Sequence, residues 1–510
     1  MEQTRNDMTC DVLVIGGGIN GAGIARDAAG RGLSVALCEK DDLASHTSSA
    51  STKLIHGGLR YLEQYEFRLV RKALIEREVL MRAAPHIIHP LRFIMPHDTG
   101  QRPSWMIRAG LFLYDHLARR ELLPDSGVVN LRQHVVGAPL KPEFTRGFAY
   151  SDGRVDDARL VVLNAMGAAE KGATILTRTV CESAVRQSDC WQAVLRDAGG
   201  NTIQVQACCL VNAAGPWAAH FLQAATGQSS EKPVRLVKGS HIVVKRLFDH
   251  PHAYIFQHPD GRIVFAIPYE ADFTLIGTTD IEYPGDPDRV AITQAETDYL
   301  CELSNRYFRS AISADDVLWS YSGVRPLVED NLSDASHVTR DYRLEWDTAG
   351  APMLSIFGGK ITTFRKLAEE AVDRIAAALS NRHGGWTANA CLPGGDLFDT
   401  HPSNRSVLLF ADFIAKLQAQ YAWLPAPLVA RYAHAYGSRT DTLLAGRKTM
   451  NDMGVEIAPW LFAAEVDYLM HHEWATCAAD VLWRRSKLGL HLAPETAQKL
   501  DAWMAAQRRS

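Results

Sequence analysis

The sequence predicts an α/β chain with a dinucleotide-binding lobe, a lobe of antiparallel strands and a helical C-terminal lobe. Three observations carry that reading. A strand, a glycine turn and a helix occupy Asp11 to Arg31; β-rich runs crowd residues 235–285; from about Leu392 the pattern turns helical. At 510 residues the chain is long for one core, so two or three lobes are expected. Apolar residues at 47% and charged residues at 22% are ordinary globular values, and a net charge of −4 gives no electrostatic reason to expect nucleic acid. Nine cysteines without a CxxC fit a reducing compartment and no structural zinc. The N-terminus shows no signal peptide, and no apolar run approaches the roughly 18 residues of a membrane span. A cytoplasmic chain that can still lie on a membrane surface is the expectation.

Each element follows in order. Asp11 to Ile15 is an apolar strand, and Gly16-x-Gly18-x-x-Gly21 opens the helix. The first glycine permits a tight turn, the second lets backbone approach a pyrophosphate, and the third allows close helix–strand packing. The helix N-terminus then offers free N–H groups to phosphate, and Asn20 lies in its first turn. Glu39 closes the second strand 23 residues after Gly16, where a carboxylate can accept bonds from ribose hydroxyls.

The fingerprint alone does not choose between NAD and FAD. "SSASTKLIHGGLRYLE" (48–63) favours FAD, because a flavin ring beyond the pyrophosphate needs more of the chain to grip it. Hydroxyls at Ser48, Ser49, Ser51 and Thr52 suit phosphate and ribitol, with Lys53 beside them, and Gly57 and Gly58 let backbone pass close to a flat ring. A helix is expected from about Leu62 to Ala83, stopped by Pro85. A second helix starts near Asp156 or Asp157 and stops near Gly172. The apolar strand before "AAGP" ends on small residues, so Ala214 and Gly215 again allow close approach to a cofactor.

Residues 235–285 read as an antiparallel sheet with turns at "HPDG" and "YEAD". Thr293 to Glu296 is a capping box, and a strand ends on Arg325-Pro326. In "IFGGKITTFRKLAE" a strand runs into Gly358, Gly359 and Lys360 before another helix, whose N-terminus, with Thr362, could face the flavin. Beyond Leu392 the expected helices are Ser406 to Tyr421, Ala464 to Trp483 and Pro494 to Gln507. "HHEW" (471–474) lacks the spacing of a zinc helix, and no metal site is expected. "SWMIRAGLFLYDHLARR" is expected as an amphipathic helix from about Ser104. Trp105, Met106, Ala109, Phe112, Leu113 and Leu117 form its apolar arc; Arg108, Asp115 and Arg119 form the opposite stripe. Lipid contact and burial between lobes both suit such a helix.

Taken together, the glycine fingerprint, 48–63, "YSDGRVDDARLV", "NAAGPW", "KGSHIVV", "GTTDIEY", "SGVRPL" and "FGGKITTFRKLAE" resemble the FAD-dependent glycerol-3-phosphate dehydrogenases, bacterial aerobic type, over essentially the whole chain from Asp11. The resemblance implies a discontinuous FAD-binding fold of the D-amino-acid-oxidase type. Its FAD-binding parts would be about 1–80, 150–230 and 320–390, its inserted substrate-lobe parts about 81–149 and 231–319, and its C-terminal helical lobe 391–510. It also implies oxidation of sn-glycerol 3-phosphate to dihydroxyacetone phosphate by hydride transfer to flavin, with electrons passed to a membrane quinone. Peripheral contact with lipid at the cytoplasmic membrane face follows, and a homodimer is among the assemblies allowed.

Cations suited to the substrate phosphate are Arg60, Arg325 and Lys360, each beside a glycine-bearing turn or in a cofactor-facing motif, with Tyr61 and Thr279 as further contacts. His56 is the first candidate base and Lys360 the second. An oxidase using dioxygen, an amine or amino-acid oxidase of the same fold, and a flavoprotein with purely structural FAD are the alternatives.

Overall fold

The computed structural model describes residues 6–98, 100–227, 234–257, 262–328 and 342–508; the side chains of Asn6, Arg60 and Gln64 lie outside that description. The expected "HPDG" turn at 258–261 also falls outside it.

Two sheets share the first 360 residues. In the first, the order is Arg343–Asp347, Met353–Phe357, Thr202–Asn212, Asn6–Ile15, Val35–Cys38, Thr174–Leu176. All neighbours from Met353–Phe357 onward are parallel; Arg343–Asp347 is antiparallel at one edge. A hairpin, Thr179–Arg186 with Trp191–Asp197, extends from Thr202–Asn212. The parallel strands are continuous apolar runs because helices cover them; Val12, Val14, Leu37, Val211 and Leu354 are all fully buried. The covering helices are Ile19–Gly30, Asp157–Ala169 and Phe364–Ala378. Ile19–Gly30 lies between the other two and is small-residue rich for that reason. A Cβ on Gly23 would sit 2.9 Å from the Phe364 ring, and one on Gly30 2.0 Å from Trp386.

The second sheet has ten strands and mostly antiparallel pairing. Its central strand for function is Val234–Lys245, held between Phe273–Gly277 and Val317–Val328, with His241 opposite both Gly277 and Tyr321 and Val237 opposite Arg325.

The C-terminal lobe packs Phe410–Gln420, Ala426–Tyr436, Ala463–His472 and Glu495–Gln507 around Val429, Tyr432, Leu469 and Leu500. Several boundaries differ from the sequence expectation. The helix expected from Leu62 begins at Phe67; Leu59–Gln64 is a 3₁₀ segment closed by Tyr65 at φ 59°. Ser406–Tyr421 is two helices broken at Leu409. The helix expected to reach Trp483 stops at His472, since the buried Glu473 turns to Arg159 and Trp474 takes φ 56°. Ala426–Tyr436 is a further helix of the lobe expected to be helical, without bounds having been assigned to it. The capping box is present, with Glu296 and Thr293 exchanging bonds.

Candidate active site

The two sheets enclose a cavity of about 850 Å³. Its long arm is built by the fingerprint turn. Gly16 sits at φ 109°, donates to Cys38 O at 2.8 Å, and a Cβ there would lie 2.5 Å from Ala213 O. Gly18 is the N-cap of Ile19–Gly30, and the Ser48 hydroxyl accepts from Ile19 N at 2.9 Å across that helix end. Gly21 does not reach the cavity; its Cβ would collide with Gly16 O at 1.9 Å, so it serves the helix–strand contact. Glu39 lines the cavity and takes Gly17 N at 2.7 Å and Asp41 N at 2.9 Å; burial pushes its carboxyl up while those two bonds pull it down. Ala214 and Gly215 form the opposite wall, and a Cβ on Gly215 would meet no atom within 4 Å.

The inner arm is where the glycine pairs converge. Gly359, at φ 98°, could not carry a Cβ without pressing on the Asn20 amide at 2.9 Å. That amide donates to Gly358 O at 3.2 Å and leaves its buried oxygen without a hydrogen-bond partner. Thr362 accepts from His56 N at 3.3 Å. Gly57 N is shared between the Tyr114 hydroxyl at 2.9 Å and Asp152 at 3.2 Å, and Arg77, fully buried, holds the same Asp152 at 2.6 Å. The turn is therefore pinned from behind. These features fit FAD: a glycine cradle at a helix N-terminus, an acid at the second strand end, open backbone at Gly215 and an unfilled amide oxygen at Asn20.

Four polar groups crowd the inner arm. Lys360 places Nζ 4.0 Å from the centre of the Tyr61 ring. Arg325 reaches Asp280 and Thr278 Oγ1, each at 3.2 Å, and crosses Gly239, where a Cβ would be 2.2 Å from its guanidinium. His56 lines the wall beside them; burial lowers its pKa, and Lys360 and Arg77 add to that against Asp152. His241 is stacked on Tyr321 at 4.8 Å and shares a 3.0 Å hydrogen bond with Thr52 Oγ1. Burial pulls its pKa well below the ordinary histidine value, with Arg325 and Lys53 reinforcing the shift. Both shifts favour the neutral imidazole.

Besides Gly21, three expected contacts lie off this cavity. Lys53 is 3% exposed and spends its ammonium on Asp157 at 2.8 Å and Ser49 O at 2.9 Å. Ser49 turns its hydroxyl to His46 O. Thr279 is buried against Ser240 N and Glu296, and its neighbours Thr278 and Asp280 line the cavity instead, because successive side chains leave an extended backbone on opposite sides. The Arg60 side chain is outside the described residues. His241, Thr278 and Asp280 are among the cavity residues that sequence reasoning missed; a histidine within the apolar run "SHIVV" was the available signal.

Residues 11–365 match the family model described as FAD dependent oxidoreductase, and 385–508 match the C-terminal domain of alpha-glycerophosphate oxidase. A glycerol-3-phosphate dehydrogenase of Pseudomonas aeruginosa is 53% identical over 98% of this chain and 95% of its own. A D-erythritol 1-phosphate dehydrogenase of Brucella abortus is 50% identical over 97% of each. The X-ray structure of the glycerol-3-phosphate dehydrogenase from Bacillus halodurans complexed with FAD superposes with a TM-score of 0.78 at 30% identity, covering 98% of this chain and 90% of that one.

Proposed function

The chain belongs to the FAD-dependent glycerol-3-phosphate dehydrogenase family, and from that membership we propose how its own residues carry the reaction. The activity is oxidation of sn-glycerol 3-phosphate to dihydroxyacetone phosphate. The observation that carries the assignment of roles is that Lys360, Arg325, His56 and His241 line the same cavity, with the charge of Lys360 acting on His56 and that of Arg325 on His241. FAD, when bound, supplies the acceptor for the hydride that leaves C2. The chain's task is the rest. Lys360 and Arg325 hold the phosphate dianion, Lys360 as a point charge and Arg325 as a fork kept in plane by Asp280 and Thr278. Tyr61 packs beneath the ammonium and sets its position. The hydroxyl proton goes to a neutral imidazole, His56 or His241, each desolvated enough to be an unprotonated base.

This yields a pH prediction. The base must be neutral, and lowered imidazole pKa values move protonation to lower pH. kcat/KM should therefore hold at neutrality and fall only below the ordinary histidine range. His56→Asn and His241→Asn identify the base by which one removes that acidic limb. Activity that rises only through the alkaline range would assign the role to Lys360 instead.

The relative that carries the erythritol phosphate name makes a four-carbon polyol phosphate the second reading for substrate. Anaerobic mixing separates the two: glycerol 3-phosphate should bleach the bound flavin faster than D-erythritol 1-phosphate at equal concentration. The reverse order would reassign the substrate, and bleaching by glycine or D-alanine alone would reassign the class. Peroxide yield against quinone reduction distinguishes an oxidase from a dehydrogenase.

The electron acceptor is a quinone reached from the surface of the cytoplasmic membrane face. Among the described residues no helix is long and apolar enough to cross a membrane. Ser104–His116 leaves Trp105 68% and Phe112 63% exposed, with Met106, Arg108, Ala109 and Leu113 beside them. Of the expected apolar arc only Leu117 is half-buried against the core, and Asp115, expected on the polar stripe, is buried against Arg120 and Ser126. Exposed Tyr65, Phe67, Arg68 and Arg71 continue the surface. Aromatic and Arg side chains together suit an anionic lipid interface. Replacing Trp105 and Phe112 by Ser should abolish sedimentation with anionic liposomes and slow quinone reduction, while turnover with a soluble dye survives. Collapse of dye turnover along with liposome binding would place the lipid contact elsewhere.

A further inference from the structure

The stretch 39–53 carries Glu39, Ser48 and Thr52 into the cavity, yet it has little structure of its own. Its only regular element is the 3₁₀ turn Thr47–Ser49. Two residues that are not glycine sit in the left-handed region, Ala44 at φ 60° and Lys53 at φ 58°, one toward each end. Such a conformation persists only where surrounding contacts over-determine it. Part of that determination comes from far along the chain. Asp42, 1% exposed, receives Arg484 Nε at 2.5 Å and both terminal nitrogens of Arg485, one of them at 2.8 Å. Arg485 is fully buried and also donates to Glu473 O at 2.5 Å. At the other end Lys53 is held by Asp157, which also takes the Ser51 hydroxyl at 2.7 Å. The adjacent Asp156, N-cap of the Asp157–Ala169 helix, pairs with Lys487 at 3.4 Å.

We propose that the C-terminal lobe acts as a clamp on the cofactor-binding stretch, with Arg485 and Lys487 as positioning residues for FAD retention. Neither residue lines the large cavity; Arg485 acts through Asp42 within the segment, and Lys487 through Asp156, the neighbour of the Asp157 that holds Lys53. The link to the cavity is short. Ala44 N donates to Gly17 O at 3.3 Å, and a Cβ on Gly17 would already press on Glu39 and Leu43. Movement of the Asp42–Ala44 corner is thus movement of the fingerprint turn and of Glu39. Lengthening that tie loosens the grip at the cofactor without touching the substrate cations.

The proposal rests on the FAD-binding reading, and the experiment separates the two. The full-length chain is stripped of flavin, and FAD is titrated back by fluorescence quenching, with melting temperatures recorded for the stripped and reloaded forms. Arg485→Gln should raise the FAD Kd at least tenfold and Lys487→Gln at least threefold. Because a ligand that binds only the folded state stabilises in proportion to the logarithm of its concentration over Kd, the gap between the two melting temperatures should narrow in both variants. A lobe contact that is only architectural would lower both melting temperatures equally and leave Kd within twofold of the parent. That result overturns the proposal. If Arg485→Gln does not fold, Lys487→Gln decides alone, and an unchanged Kd there is a refutation. A parent chain that takes up no FAD would instead overturn the functional reading.

Discussion

Lys360→Ala and Arg325→Ala should each lower kcat/KM for glycerol 3-phosphate by roughly tenfold to a hundredfold, because a charge-assisted bond is worth about 1.5–3 kcal/mol. Their combination should cost less than the product of the two. Both cations line the same cavity; if a single phosphate engages them together, the second removal acts on a substrate that the first has already loosened. Arg325→Lys keeps the charge but loses the fork that Asp280 and Thr278 hold in plane, so it should rescue weakly. Steady-state kinetics on flavin-loaded variants reads all four. Strict additivity of the two alanine costs would mean that the side chains do not share a ligand, and the phosphate assignment would fall with it.

A larger loss, this time of stability, is expected at Asp157. Its carboxylate is fully buried; it faces Lys53, the Ser51 hydroxyl and Ala158 N. Truncation to Ala strands a buried ammonium, and breaking one side of such a pair costs about 3–5 kcal/mol. Removing both charges is far milder, because two apolar groups of similar shape avoid the desolvation that an ion pair must offset. Asp157→Leu with Lys53→Met should therefore unfold at a higher urea concentration than Asp157→Ala alone. If the single and double variants unfold at the same midpoint, the pair contributes no coupling and Lys53 has some other role.

Much of the cofactor arm was legible in the sequence because its chemistry demands small residues at fixed offsets. Gly16 and Gly18 are wanted by backbone geometry alone, and the strand, turn and helix around them are contiguous. The substrate arm was legible only in part. Arg325 and Lys360 stand beside glycine-bearing turns and could be picked out, whereas His241 is brought to the wall by pairing with strands centred about 35 and 80 residues later. Thr279 is buried against Ser240 and Glu296 while its neighbours Thr278 and Asp280 line the cavity, a difference of one position that nothing in "GTTD" signals. Lys53 misled for a different reason. Its partner Asp157 lies 104 residues away, so nothing local distinguishes a lysine aimed at phosphate from one neutralising a buried acid. The helix ends at Leu409 and His472 were hidden likewise, the second being set by a charge that pairs with another lobe.

The strand order of the parallel sheet also bears on how the protein is made. Asn6–Ile15 leaves the ribosome first, yet one of its neighbours is Thr202–Asn212, and the next strand over is Met353–Phe357. At about 5–20 residues per second the opening strand waits on the order of 10–40 s for the first of these and longer for the second. Throughout that interval the apolar run Val12–Ile15 has only Val35–Cys38 to pair with. Nascent chains should therefore present an open sheet edge early in translation, so synthesis at high rate or temperature is where this fold meets its aggregation hazard, well before any cofactor is in place.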